Sequence, residues 1–203
     1  MTSAGPRRWS GGDLVVATGN PGKAAEIADL LTPYNVVVRR LGEFTDAIPE
    51  ETGATFAANA VIKAKAAAAV SGLPALADDS GLAVAALDGA PGIHSARWAE
   101  EAGGFPEAMA RLNARLQGNA DDQAAFHCAL ALAWPDGTIR TVQGTVEGRL
   151  VFPPRGALGF GYDPIFVPVG ERRTFGEMDP VEKADRSHRA DAFRKLVAAC
   201  FRT

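Results

Sequence analysis

The chain has 203 residues, 47% of them hydrophobic and 22% charged, with a net charge of -3. That supplies one good core, or two small lobes sharing one, and leaves no electrostatic case for a nucleic-acid polymer as partner. Cys128 and Cys200 lie in apolar runs and fit no metal-binding spacing, so they read as buried thiols in a reducing compartment.

Residues 1–12 include Arg7 and Arg8 but no apolar run of signal-peptide length follows, and no segment is long enough to span a bilayer. They are expected to be a loose leader on a cytoplasmic protein, ahead of a single domain over residues 13–203. Residues 14–17 read as a buried strand, 18–23 as a Gly/Pro turn, 24–31 as a helix stopped by Pro33, and 36–38 as a second strand. This β-loop-α-β opening favours a parallel pair and an α/β fold. Thr55 is placed to cap an Ala-rich helix running to about Val70 and closed by Ser71, Gly72 and Pro74. Residues 75–77 and 82–87 read as short strands on either side of an acidic turn, and 105–116 as a helix. Residues 124–134 and 138–146 read as strands of a hairpin around Pro135-Asp136-Gly137. A Gly-rich loop is expected over 156–162, a helix start at Asp179-Pro180-Val181-Glu182, and a last helix over 187–201. The middle third thus forms an antiparallel lobe of one α/β unit.

Several places carry possible chemistry. Asp78 and Asp79 are adjacent carboxylates whose repulsion a divalent cation would relieve. Thr18-Gly19-Asn20-Pro21-Gly22-Lys23 joins a strand to a helix, where a helix N-terminus favours phosphate. It is no Walker loop, because Ala24 follows Lys23 where Ser or Thr is required, and a tight turn with a surface lysine is the bland alternative. Glu50 and Glu51 precede the Ala-rich helix, where carboxylates are favourable for structural reasons alone. Lys63 shares a helix face with Asn59 and by itself reads as a solvated charge. Gly159-Phe160-Gly161-Tyr162-Asp163-Pro164 sets backbone that can approach a ligand beside aromatics that can stack on a flat ring. His188 and Arg189 follow a capping Ser187, and cations in a first helical turn ask for an anion. Together with Lys183, these pieces suit a nucleoside triphosphate.

Taken in chain order along residues 13–201, and joined by Glu51-Thr52-Gly53-x-Thr55-Phe56 and Ala90-Pro91-Gly92-Ile93-x-Ser95-Ala96-Arg97, the motifs closely resemble the inosine triphosphate pyrophosphatase family. These are the Ham1-like or RdgB-like noncanonical purine NTP pyrophosphatases. The resemblance implies a mixed, elongated sheet flanked by helices, two lobes with a central active-site cleft, and a homodimer. It implies Mg2+-dependent hydrolysis of dITP, ITP and XTP to the monophosphate and pyrophosphate. By motif position, Thr18, Gly19, Asn20, Pro21, Gly22 and Lys23 would contact the triphosphate. Glu51 and Asp79 would hold Mg2+, Asp79 also accepting the proton of the attacking water, while the sequence leaves the division of labour between Asp78 and Asp79 open. Ser80 and Lys183 would touch substrate, Phe160, Gly161, Tyr162 and Asp163 would cradle the base, and His188 with Arg189 would read its 6-oxo edge. Ala58 departs from the Glu that many members carry before Asn59, and Ala190 from the usual Gly. A Maf-like pyrophosphatase is disfavoured by the intact His188-Arg189 pair, and a non-catalytic nucleotide sensor by Glu51, Asp79 and Lys183.

Overall fold

A computed structural model describes residues 7–47 and 49–201. In chain order the elements are β1 (Gly12–Ala17), α1 (Pro21–Leu31), β2 (Val36–Arg40), α2 (Phe56–Ser71), β3 (Ala75–Val84), α3 (Ser95–Ala102) and α4 (Phe105–Leu116). They continue with β4 (Gln123–Ala133), β5 (Ile139–Leu150), β6 (Phe166–Pro168), α5 (Pro180–Arg186) and α6 (His188–Cys200). The strands form one sheet in the order β2-β1-β3-β4-β5-β6. β1 is parallel to β2 and β3, and β6 is antiparallel to β5, so the sheet is mixed, with helices flanking it, as expected. Two compact units divide the chain: one takes residues up to Asp79, 128–144 and those from Arg189 on, the other 80–127 and 145–188. The divisions fall inside two motifs, between Asp79 and Ser80 and between His188 and Arg189.

In the first unit the strand period of two sorts side chains onto two faces. Leu14 and Val16 of β1 and Leu76 of β3 pack with Ile27 and Leu31 of α1 and Phe193 and Leu196 of α6. Val15, Ala17, Ala75 and Ala77 pack on the other face against Ala60, Ala64, Ala67 and Ala68 of α2. Thr55 caps α2 by accepting from the Ala58 N–H, and Gly72 ends it in the left-handed conformation. Residues 1–6 of the expected leader lie outside the described residues. Trp9 does not behave as leader: it is buried, packs on Phe201, and its backbone N–H donates to the Cys200 carbonyl.

Several boundaries differ from the sequence reading. α1 starts at Pro21, because Asn20 accepts from the Lys23 N–H and Pro is tolerated in a first turn, so half of the expected turn is helix. The acidic turn does not exist: β3 runs unbroken from Ala75 to Val84, and residues 85–87 form a short 3-10 turn rather than strand. α3 and β6 were not anticipated, being short segments with little periodicity of their own. The hairpin is present, with the Trp134 N–H donating to the Thr138 carbonyl, and β5 extends to Leu150.

Gly81 lets β3 pass the turn that precedes α3. A methyl at Gly81 would collide with the Gly92 carbonyl oxygen and the Ser95 hydroxyl. That hydroxyl accepts from the Leu82 N–H at 2.9 Å and donates to the Gly92 carbonyl at 2.7 Å. Since one obstacle is backbone, Gly81→Ala is expected to cost about 1–3 kcal/mol. Urea denaturation measures it, and an unchanged midpoint would refute the close-approach account.

Candidate active site

Because β3 is continuous, Asp78 and Asp79 point to opposite faces of the sheet. Asp78 follows Leu76 onto the face of α1 and α6, and Asp79 follows Ala77 onto the face of α2. Repulsion between neighbouring carboxylates, and with it the notion that the pair shares one cation, is therefore corrected: each meets its own cations.

On the α1 side, Asp78 accepts from Lys23 Nζ at 2.9 Å, from Arg189 Nε at 2.9 Å and from the Cys128 thiol at 3.0 Å. Arg189 also pairs with Glu26, one turn beyond Lys23 on α1. Asp78 and Arg189 are each 1% exposed, so this is a buried ion cluster and not a solvated one. Burial alone would raise the Asp78 carboxyl, but the Arg189 and Lys23 charges outweigh it and hold the group well below the usual range. Burial and the Asp78 charge push the Cys128 thiol well up, which keeps it protonated and donating. The anion that Arg189 asks for in its first helical turn is thus supplied by the protein itself. Cys128 and Cys200 are both free and buried, as read from their context.

On the α2 side, Lys63 Nζ lies 2.9 Å from Asp79 Oδ1 and 2.8 Å from Glu51 Oε1. Asn59, one turn earlier, accepts from the Gly53 N–H at 2.8 Å and directs its amide at Asp79 Oδ2, 3.4 Å away. The solvated-charge reading of Lys63 is corrected, since its side chain is only 12% exposed. Its helix spacing to Asn59 was visible in the sequence; what the two face was not. Burial pushes the Asp79 carboxyl above the usual range in spite of Lys63. For Lys63 burial acts downward, but Asp79 and Glu51 outweigh it and raise the ammonium. The two adjacent aspartates are therefore driven in opposite directions, the pattern that separates a base from a permanently charged support.

Among the described residues no three of His, Cys, Asp and Glu gather as a metal cage. Glu51 and Asp79 nonetheless converge on one cationic position, now held by Lys63. Two carboxylates suit magnesium, which keeps waters and takes substrate phosphate oxygens as further ligands. Thr18 Oγ1 accepts from the Asn20 N–H, and the Thr18–Lys23 segment ends in the N-terminus of α1, whose dipole favours anions.

In the second unit Asp163 is the hub. It accepts from the Phe160 N–H at 2.8 Å and from Lys183 Nζ at 2.6 Å. Gly159 has a φ of 73° and sits where a side chain would strike the Asp163 carboxylate. Lys183, on α5 with Asp179 as its cap, holds its ammonium 4.4 Å from the Phe160 ring centre. Gly161 separates Phe160 from Tyr162 in the same loop. Tyr162 is not an exposed platform: it is 2% exposed, its hydroxyl donates to the Ser95 carbonyl at 3.2 Å, and its ring meets Phe105 edge-on. Burial pushes its phenol up to about 12. His188 stacks on Phe126 with ring centres 4.9 Å apart, and Ser80 is partly exposed on β3.

A family model described as the Ham1 family matches residues 14–199. A dITP/XTP pyrophosphatase of Rhodospirillum centenum is 57% identical, over 97% of this chain and 98% of its own. One of Caulobacter vibrioides is 56% identical, over 94% of this chain and 99% of its own. Among solved structures, a HAM1 protein from Coxiella burnetii superposes with a TM-score of 0.83 at 41% identity, over 92% of this chain and 96% of that one. The Staphylococcus aureus Ham1 protein gives 0.82 at 36% identity with the same coverage.

Proposed function

This chain belongs to the Ham1 family, and from that premise we propose that it hydrolyses deaminated purine nucleoside triphosphates, dITP, ITP, XTP and dXTP, to the monophosphate and pyrophosphate. The relatives named dITP/XTP pyrophosphatase support the substrate class. The observation that carries the chemistry is that two neighbouring carboxylates face different partners, Asp78 the Lys23 and Arg189 cations and Asp79 the Lys63 position it shares with Glu51.

Asp79 accepts the proton of a water that attacks the α-phosphorus, and its raised affinity for protons suits that task. Glu51 and Asp79 are the residues that would hold Mg2+. Bound there, the ion would supply charge neutralisation on the phosphates and orientation of the water. Lys23, the loop residues Thr18 and Gly19, the cap Asn20 and the first turn of α1 at Pro21 and Gly22 bind the phosphates, with Asp78 fixing the Lys23 ammonium. Ser80 and Lys183 contact substrate, and Asp163 holds Lys183 in place. Phe160 offers a ring to the base, and Gly161, Tyr162 and Asp163 shape the loop around it. His188 reads the 6-oxo edge with Arg189, whose guanidinium is already oriented by Asp78 and Glu26. The same reading makes the protein a cytoplasmic homodimer acting on a small molecule. Its net charge of -3 supports that choice over a nucleic-acid polymer. Among the described residues no helix is long and apolar enough to cross a membrane.

A donor aimed at a 6-oxo group is left unpaired by the 6-amino group of adenine, a loss of about 1–3 kcal/mol. With Mg2+, pyrophosphate is expected from ITP and XTP, far less from ATP, and less from GTP. Release of orthophosphate would replace the reaction type, and equal rates on ITP, XTP and GTP would refute the selectivity.

A further inference from the structure

We infer that Lys63 is the resident counter-cation of the metal site: its ammonium holds Glu51 and Asp79 together, and a divalent ion entering between them must displace it. This rests on the proposed metal role of those two carboxylates. Glu51 lies on the segment before α2 and Asp79 in the middle of β3, yet one oxygen of each is within 2.9 Å of the same Nζ. Without a cation there, the buried Asp79 carboxylate and the more exposed Glu51 carboxylate would face each other across a few ångströms and repel. A divalent ion bound by both would need the same oxygens, at about 2.0–2.1 Å for magnesium. Lysine is suited to yield, because its ammonium is a compact point charge on a flexible four-carbon stem.

Two consequences follow from competition for shared oxygens. Metal affinity in the absence of nucleotide is held below that of the bare carboxylate pair. Triphosphate and metal binding are coupled, since a phosphate anion gives the displaced ammonium a new partner, and such coupling is reciprocal.

Electron paramagnetic resonance of free Mn2+, without nucleotide, tests this on the full chain as wild type, Lys63→Met and Glu51→Gln. Lys63→Met is expected to bind Mn2+ at least about tenfold more tightly than wild type, because a like charge has been removed from the site. Glu51→Gln is expected to bind more weakly. If Glu51→Gln weakens Mn2+ while Lys63→Met binds no better than wild type, the counter-cation role is overturned and the metal assignment stands. If Glu51→Gln leaves Mn2+ affinity unchanged, the metal assignment itself falls, and this inference with it. Should Lys63→Met not fold, Mg2+ added to wild type carrying 13Cε-lysine serves instead. A Lys63 resonance that shifts and saturates with metal supports displacement, and one that stays put while metal binds overturns it.

Discussion

Asp79→Asn is expected to lose turnover by roughly 10²–10⁴-fold while the fold persists. The amide keeps the size and one acceptor of the carboxylate but cannot take a proton at neutral pH. Stability should hardly fall, because the variant removes a carboxyl that burial already disfavours in its charged form, and Lys63 keeps Glu51 as its partner. Steady-state release of pyrophosphate from ITP, alongside urea denaturation, checks both halves. Near-normal turnover in a folded Asp79→Asn protein would remove Asp79 from the chemistry.

Asp78→Asn, one residue away, is expected to do the reverse first: it should destabilise the protein by about 3 kcal/mol, the lower end of what removing one partner of a buried ion pair costs. Arg189 is 1% exposed and cannot reach water, so a neutral neighbour leaves its charge poorly compensated. Glu26 still faces it, which keeps the loss at the lower end. Lys23 is freer to rotate out, with 16% of its side chain exposed. The pH dependence has a definite sign. Asp78 has its folded-state affinity for protons depressed, so its stabilisation is fully present above the ordinary aspartate value of about 3.9 and is lost as pH falls towards the folded-state value. Wild type should therefore shed stability on acidification below about pH 3.9, and Asp78→Asn should lack that component. An Asp78→Asn midpoint equal to that of wild type would show the cluster to be unimportant to the fold.

The contrast between these neighbours marks where the sequence stopped being readable. Elements with strong local signals were legible: the buried run of β1, the Thr55-capped α2, the helix α4 at its exact bounds, and the Asp179-Pro180 start of α5. Each rests on a cap, a period or a breaker lying within a few residues. The acidic segment was misread because adjacent carboxylates followed by Ser-Gly look like a turn when only local repulsion is weighed. Lys63 reads locally as a solvated charge because a lysine on an Ala-rich helix usually is one, and Tyr162 reads as a stacking platform because it stands among glycines.

The sequence by itself determined the ordered motifs, hence the family, the residue types available for phosphate, metal and base, and the alternation that makes β3 a strand with two faces. Only the tertiary structure decided which partner each face meets. Asp78 points at α1 and α6, where it meets Lys23 and also Arg189, 111 residues further along the chain, and Asp79 points at α2, where it meets Lys63. Coulomb energy depends on distance through space and on burial, neither of which sequence separation reports. Two identical side chains joined by one peptide bond are therefore driven in opposite directions, Asp78 towards its charged form and Asp79 away from it.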